Sequence, residues 1–397
     1  MEKLRNPYSP GAGSPPPELV GRDALRESIT ISIARLRIGR YSKNTLLVGL
    51  RGVGKTVLLE QIRLDAERDG ILTVRAETPE RRSLPALLAP QLRTALLKLS
   101  RFESAKQAAL HGLGTLAGFV KRLRVKYHDL ELSFDTEPIE GEADSGDLEI
   151  DLSALMERVG EAAKAANTAL ILFVDEVQYL PEDQFGALIS ALHRCAQMRL
   201  PVGLIGAGLP QLRALAGNAK SYAERMFDFP AVGQLSDDDA REAILKPAAA
   251  EGIEYTDDAL VEILRRTQNY PYFLQEWGKH SWDVATGSPI TKEDVVIASS
   301  TALAALDASF FLVRFDRVTP AERNYLRAMA ELGPGVHRSG DIAAVLGKKV
   351  SALGPLRERI IAKGMIWSPN HGETAFTVPL FDDFMKRIMP GDDWKRE

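Results

Sequence analysis

The chain has 397 residues, 26% of them charged and 45% hydrophobic, with a formal net charge of −4. That length exceeds one ordinary core and predicts two or three domains, while the near-neutral balance excludes a global cationic field for nucleic acid or an acidic membrane surface. The single cysteine, Cys195, excludes an internal disulfide and cannot by itself frame a zinc site, which suits a reducing cytoplasm.

Residues 1–17 carry five prolines with several Gly and Ser but no apolar h-region, so they read as a disordered arm and not as a signal peptide. No run reaches the roughly 18 uninterrupted apolar residues of a spanning helix, so the expectation is a cytoplasmic chain with no membrane partner. Residues 18–235 alternate short β-branched runs with helical patterns, as a parallel sheet with helices on both faces requires. The expected strands are Asn44 to Val48, Ile71 to Ala76, Ala169 to Val174 and Val202 to Gly206. Helical periods run through Leu87, Leu88, Leu92, Leu96 and Leu97, and from Asp151 to Ala166. Between those helices, residues 121–147 fit the alternation badly: basic Lys121 to Lys126, alternating Asp129 to Phe134, then acidic Glu137 to Asp147. This stretch is expected to be an insertion, a hairpin with a mobile acidic loop.

The run from Asn44 to Val48 feeds Gly49-Leu50-Arg51-Gly52-Val53-Gly54-Lys55-Thr56, the complete phosphate-loop spacing, and Val57, Leu58, Leu59 and Ile62 then open a helix. In such a turn the backbone N–H groups of Arg51, Gly52, Val53, Gly54, Lys55, Thr56 and Val57 converge on phosphate at a helix N-terminus. Lys55 adds a cation at the β/γ-phosphates, and Thr56 offers a hydroxyl to Mg²⁺. A second apolar run, Ala169 to Val174, ends in Asp175 and Glu176. An acid at the tip of a buried strand suits Asp175 for Mg²⁺ and Glu176 for polarising the attacking water. The expected ligands are ATP and Mg²⁺.

After Leu235 the strand patterns stop. Helix starts at Ser236, Thr256 and Thr291 mark a small all-α lid over residues 236–315. Thr319-Pro320-Ala321-Glu322 opens a further domain, residues 316–397, in which three helices precede a hairpin of Met365-Ile366-Trp367 with Ala375 to Val378. That order describes a winged helix-turn-helix. If it meets duplex DNA, the third helix enters the major groove, with Lys348, Lys349, Ser351 and Arg357 at the bases and Arg338 at a phosphate. Glu358, Asp341, Asp382 and Asp383 dilute the basic patch, and a winged helix serves equally as a protein-contact module. His337 and His371 read as solvent-exposed loop residues.

With the phosphate loop, Asp175-Glu176-Val177-Gln178 and Leu19-Val20-Gly21-Arg22 in these places, the chain resembles the AAA+ P-loop ATPases. Within them it is similar to archaeal origin-recognition initiators and to signalling ATPases with a D-E-x-Q second motif. The resemblance implies that Val20, Gly21 and Arg22 pack on adenine. It also implies that Ser221 to Phe227 presents Arg225 as an arginine finger to a neighbouring subunit, with Arg213 a weaker candidate, hence a homo-oligomer. Two departures stand out: the fourth strand ends Leu204-Ile205-Gly206-Ala207-Gly208 without a polar sensor, and Asn269 to Gln275 lacks the arginine that many relatives offer from the helical domain. The expectation is therefore a Mg-ATP-binding, slowly hydrolysing switch that binds duplex DNA through its winged helix. The alternative is an ATP-dependent scaffold whose winged helix grips a protein.

Overall fold

A computed structural model describes every residue except 12, 15, 79–81, 131, 133–135 and 396–397. Short apolar runs, three of them buried at every position, build the sheet. In chain order the first unit comprises α1 (Asp23–Arg37), β1 (Asn44–Val48), α2 (Lys55–Arg68), β2 (Leu72–Glu77), α3 (Leu84–Leu99), α4 (Lys106–Leu123) and α5 (Leu148–Ala165). It continues through β3 (Leu170–Asp175), α6 (Glu182–Gln197), β4 (Val202–Gly208), α7 (Leu212–Ala219), α8 (Ala223–Met226) and β5 (Phe227–Asp228). The strands are parallel in the order β2-β3-β4-β1-β5. Leu46, Leu170, Leu172, Val174 and Leu204 face the core made with α3 to α6, whereas Leu47, Ile171, Phe173, Ile205 and Ala207 face α1 and α2. Both faces are thus covered, which is why these strands are apolar throughout. Strand β5 is two residues long, too short to leave a pattern in the sequence.

Residues 121–147 depart from expectation. The alternating segment falls partly on positions 131 and 133–135, outside the described residues, and no hairpin forms among the described ones. The acidic stretch is held rather than mobile. Fully buried Asp151 accepts hydrogen bonds from Ser145 N (3.0 Å), Ser145 Oγ (2.7 Å) and Gly146 N (2.9 Å). Glu142 accepts from Arg158 (2.7 Å) and Thr115 (3.0 Å) and pairs with His111; the Arg158 bond above all brings its carboxyl down to about 2. Helix α4 admits this approach because Gly114 and Gly118 lack a side chain: Ile139 N reaches Gly114 O at 3.2 Å, and a Cβ on Gly118 would lie 3.3 Å from Glu142 O.

The second unit is helical: α9 (Asp237–Ala250), α10 (Asp257–Thr267), α11 (Pro271–Val284), α12 (Lys292–Leu306), one wide turn at Asp307–Phe311, and α13 (Leu312–Phe315). Ser236 caps α9 through Asp239 N, and Thr291 with Asp294 forms a reciprocal capping box on α12. The run Lys292–Phe315 is long and apolar enough to cross a membrane by length and composition. Here its Val295, Ala298, Ala302, Leu306 and Phe311 are buried in the protein.

The last unit comprises α14 (Pro320–Glu331), β6 (Val336–Arg338), α15 (Ser339–Leu346), α16 (Val350–Ala362), β7 (Ile366–Trp367), β8 (Glu373–Phe376) and α17 (Phe381–Ile388). Its antiparallel sheet runs β6-β8-β7 behind three helices, the arrangement of a winged helix. The expected hairpin gains an unforeseen third strand, β6. Its core is continuous with that of the helical unit, because Phe311 and Phe315 interlock with Phe381 and Phe384 across the expected boundary near residue 315.

The segment read as a disordered arm is instead packed. Its prolines and glycines suppress regular structure, yet a 3₁₀ turn (Lys3–Arg5) and a buried Tyr8 attach it to the helical unit.

Cys195 lies fully buried on α6, and burial pushes its thiol up to about 12 from an ordinary 9.0. Between these values the unfolded chain loses a proton that the folded chain keeps, so this group lowers stability as pH rises above 9. Native protein at pH 8 should therefore react with iodoacetamide at least about a thousandfold more slowly than denatured protein, because labelling requires opening of the core. Comparable rates by mass spectrometry would contradict this packing.

Candidate nucleotide site

The turn between β1 and α2 depends on backbone freedom at two glycines. Gly52 and Gly54 adopt φ of +82° and +87°, which L side chains rarely tolerate. Helix α2 begins at Lys55, and the loop wraps so tightly that Lys55 Nζ donates to Gly49 O (3.0 Å) and Leu50 O (2.8 Å). Only 8% of Lys55 is exposed, and burial lowers its ammonium to about 8 against the opposing pull of Glu176 and Asp175. On the next residue, Thr56 Oγ1 donates to Asp175 Oδ2 at 2.7 Å, so the helix N-terminus and the tip of β3 meet directly. Asp175 Oδ1 accepts from Glu176 N at 2.8 Å, and burial raises this carboxyl despite the Thr56 bond. A cation and an anion are both held where their charged forms are costly, an arrangement that a phosphate chain and a divalent ion would relieve.

Thr56 and Asp175 offer the hard oxygen atoms that magnesium selects. Among the described residues no group of three or more His, Cys, Asp or Glu side chains could hold a metal alone. Magnesium thus fits this site as the companion of a phosphate chain that completes its oxygen shell. When bound there it would neutralise charge developing on the phosphates.

Glu176 takes a left-handed backbone (φ +53°), and the Thr78 hydroxyl donates to the carbonyls of Asp175 (2.8 Å) and Glu176 (2.5 Å). Its carboxylate is engaged by the Gln178 amide and faces Arg51 Nη1 at 3.5 Å. Gln178 also accepts from Leu209 N at 3.0 Å and covers the end of β4. A Cβ on Gly208 would come within 2.4 Å of Gln178 Oε1. The place where a polar side chain on the fourth strand was sought is therefore filled from the acidic loop.

Arg51 ties the loop to the winged unit. Its Nη2 donates to the Tyr179 hydroxyl (2.7 Å), and its backbone N donates to Thr377 O (3.0 Å). Gly364 lies so close that an added Cβ would meet Arg51 Nη2 at 3.1 Å. From the helical unit, Tyr272 N donates to Gly52 O at 3.2 Å. All three units consequently wall one cavity of about 660 Å³ around the loop, with Val20, Arg22, Tyr272, Gln275, Arg314 and Met365 among its lining. Tyr272 stacks on Phe310 at 4.9 Å, and the Arg314 guanidinium lies 4.1 Å from the centre of the same ring. Burial first, then neighbouring Arg51, lowers Arg314 to about 10. Gly21 turns at φ +69°, and Arg22 donates to Gly233 O at the cavity edge.

Loop residues 51–57, Asp175, Glu176 and the Val20-Gly21-Arg22 segment thus assemble together. Arg225 does not join them: it is exposed on α8, and its guanidinium makes no hydrogen bond or ion pair with the described residues. Arg213 is occupied by Phe229, donating to its carbonyl at 2.8 Å. In the winged unit Arg338, Lys348, Lys349 and Ser351 are exposed around the entry to α16. Arg357 is not available in the same way. It donates to Thr374 Oγ1 (2.9 Å), Ser368 Oγ (2.6 Å) and Glu373 O (2.7 Å), so it braces the third helix against the hairpin instead of facing a groove. Sequence reading missed Thr78, Tyr179 and Arg314. Tyr179 stands one residue beyond the acidic motif and could have been sought there, whereas nothing in the local pattern marks Arg314.

Residues 18–205 match the AAA ATPase domain family, and residues 308–385 match a family described as a domain of unknown function, DUF8462. No curated protein matches the chain. Among solved structures, the Walker-type ATPase PABY2304 of Pyrococcus abyssi superposes with a TM-score of 0.57 at 16% identity, over 93% of this chain and 96% of that one. The Aeropyrum pernix ORC1 protein, solved in complex with DNA, gives 0.44 at 15% identity over 94% of each chain. The Thermotoga maritima RuvB Holliday junction branch migration motor gives 0.43 at 17% identity, over 89% of this chain and 92% of that one. The first of these supports the fold: the α/β sheet of a P-loop NTPase followed by further units over nearly the whole chain.

Arg51→Ala should loosen the winged unit from the loop, since it removes the guanidinium that, bonded to Tyr179, packs against Gly364. Amide exchange at residues 363–366 and 376–378 should quicken by about fivefold to tenfold, with the sheet unchanged. Equal exchange in both proteins would show that Arg51 does not hold the units together.

Proposed function

Taking residues 18–205 as an AAA ATPase domain, in a chain that resembles AAA+ P-loop ATPases, we propose a Mg-ATP-binding switch that hydrolyses slowly and whose occupancy sets how the helical and winged units close on the phosphate loop. One observation carries this reading: Lys55 and Thr56, the latter bonded to Asp175, line a cavity to which all three units contribute walls. A ligand can shift such an arrangement only by binding one closure better than another, and a phosphate chain at this loop meets groups from every unit at once.

In this reading Lys55 holds phosphate, Thr56 and Asp175 hold the magnesium, and Glu176 orients water. Val20, Gly21 and Arg22 take the base. The Arg51 pair and the Gln178 bond restrain the Glu176 carboxylate, which is consistent with slow turnover. Arg225, exposed and unengaged, is suited to complete a neighbour's site in a homo-oligomer. The exposed Arg338, Lys348, Lys349 and Ser351 are suited to duplex DNA. The inward commitment of Arg357 favours a second reading, in which the winged unit grips a protein.

Calorimetry should find that Lys55→Ala weakens ATP at least about tenfold, through loss of a charge-assisted contact. Glu176→Gln should bind ATP normally and release phosphate at least about a hundredfold more slowly. Unchanged affinity in the first variant or unchanged turnover in the second would remove the assigned role.

Fluorescence anisotropy with duplex DNA at two salt concentrations, with and without ATP, distinguishes the two winged-helix readings. DNA binding predicts affinity that falls steeply with salt, the logarithmic slope dropping by about one for each of Lys348→Ala and Lys349→Ala. Absence of binding under all conditions supports the protein-contact reading.

A further inference from the structure

The N-terminal segment is attached to the helical unit by one deeply buried side chain. Tyr8 is 3% exposed, and its hydroxyl donates to Ile244 O at 2.6 Å on α9. Its ring lies flat over Gly278 on α11, where an added Cβ would meet ring atoms at 2.7 Å. Around this plug the backbone is also fixed: Asn6 Nδ2 donates to Lys279 O and Asp283 Oδ1, both at 2.9 Å, and Trp282 Nε1 donates to Glu2 O at 3.1 Å. Immediately beyond it, Ser9 N donates to Gln275 Oε1 (3.3 Å). The chain then crosses the phosphate loop, with Ser9, Pro10, Gly11, Gly13, Ser14 and Pro16 lining the cavity. At Gly13 an added Cβ would lie 3.6 Å from Thr56 Cγ2.

We propose that the described residues of the segment before Pro17 form a strap gating nucleotide exchange, with Tyr8 as its latch. The proposal rests on the nucleotide-binding reading of the cavity and extends it to entry and release. Among the described residues the strap's hydrogen-bonded anchors are protein groups on or at the ends of α9 and α11, so its closure is set by the packing of Tyr8 and not by ligand contacts. Pro7 and Pro10 flank the tyrosine and restrict the unfastened chain, which lowers the entropy lost on docking. A gate of this kind slows entry and exit together; a strap that merely contacted the ligand would change affinity instead.

The test is stopped-flow binding of N-methylanthraniloyl ATP, and its displacement by excess ATP, in the full chain carrying Tyr8→Ala or Gly278→Ala. The first variant empties the plug, and the second fills its seat with a methyl group. Both should accelerate association and dissociation by at least about tenfold, from the lost burial of an aromatic ring, while Kd stays within about threefold. Tyr8→Phe keeps the ring and loses one hydrogen bond, so it should give about a fivefold acceleration without loosening the helical unit. Intact binding with exchange rates unchanged in all three variants overturns the gate. So does faster release with unaltered association, which would make the strap a contact wall. If Lys55→Ala binds the probe as tightly as the natural sequence, the nucleotide reading of the cavity itself fails, an outcome distinct from failure of the latch.

Discussion

Two backbone hydrogen bonds, from Arg51 N to Thr377 O and from Tyr272 N to Gly52 O, fasten the phosphate loop to both C-terminal units. Because they involve the backbone of consecutive loop residues, the loop cannot change shape without disturbing both partners. The helical and winged units cannot adjust independently either, since Phe310, Phe311, Phe315, Phe381 and Phe384 give them one continuous core. A close-packed core transmits displacement as a body. The mechanical consequence is that the loop and both C-terminal units are held as one packed body.

The same place concentrates buried charge. Lys55 and Asp175 are almost fully buried, the first lowered and the second raised by loss of solvent, and their present partners are a pair of carbonyls for the lysine and a hydroxyl and a backbone N–H for the acid. Charges in such surroundings gain most from a counter-charge, because the low dielectric that penalises them alone strengthens them when paired. Arg314, lowered by burial and by the nearby Arg51, adds a cation from the junction between helical and winged units. Cationic groups from two units therefore face one cavity.

Much of the sheet and the phosphate loop was legible because each rests on a local rule. Buried parallel strands must be apolar on both faces, as Leu170 to Val174 are, and a turn bringing N–H groups together needs glycine where φ is positive, as at Gly52 and Gly54. Caps at Ser236, Thr291 and Thr319 were equally local. The acidic stretch before α5 misled because its charges suggest solvent, while Asp151 and Glu142 are satisfied by residues on α4, on α5 and in the intervening loop. Arg357 misled in the same way: a basic residue on a third helix looks like a groove contact until its three partners in the hairpin are seen.

By itself the sequence determined the glycine turn, the lysine and the acidic strand end that the structure brings together, since all are encoded over short spans. Only the tertiary structure decided what encloses them. The Tyr8 plug and the approach of Gly364 to Arg51 join positions hundreds of residues apart. Such contacts follow from shape and burial in the assembled fold, and no periodicity or motif along the chain records them.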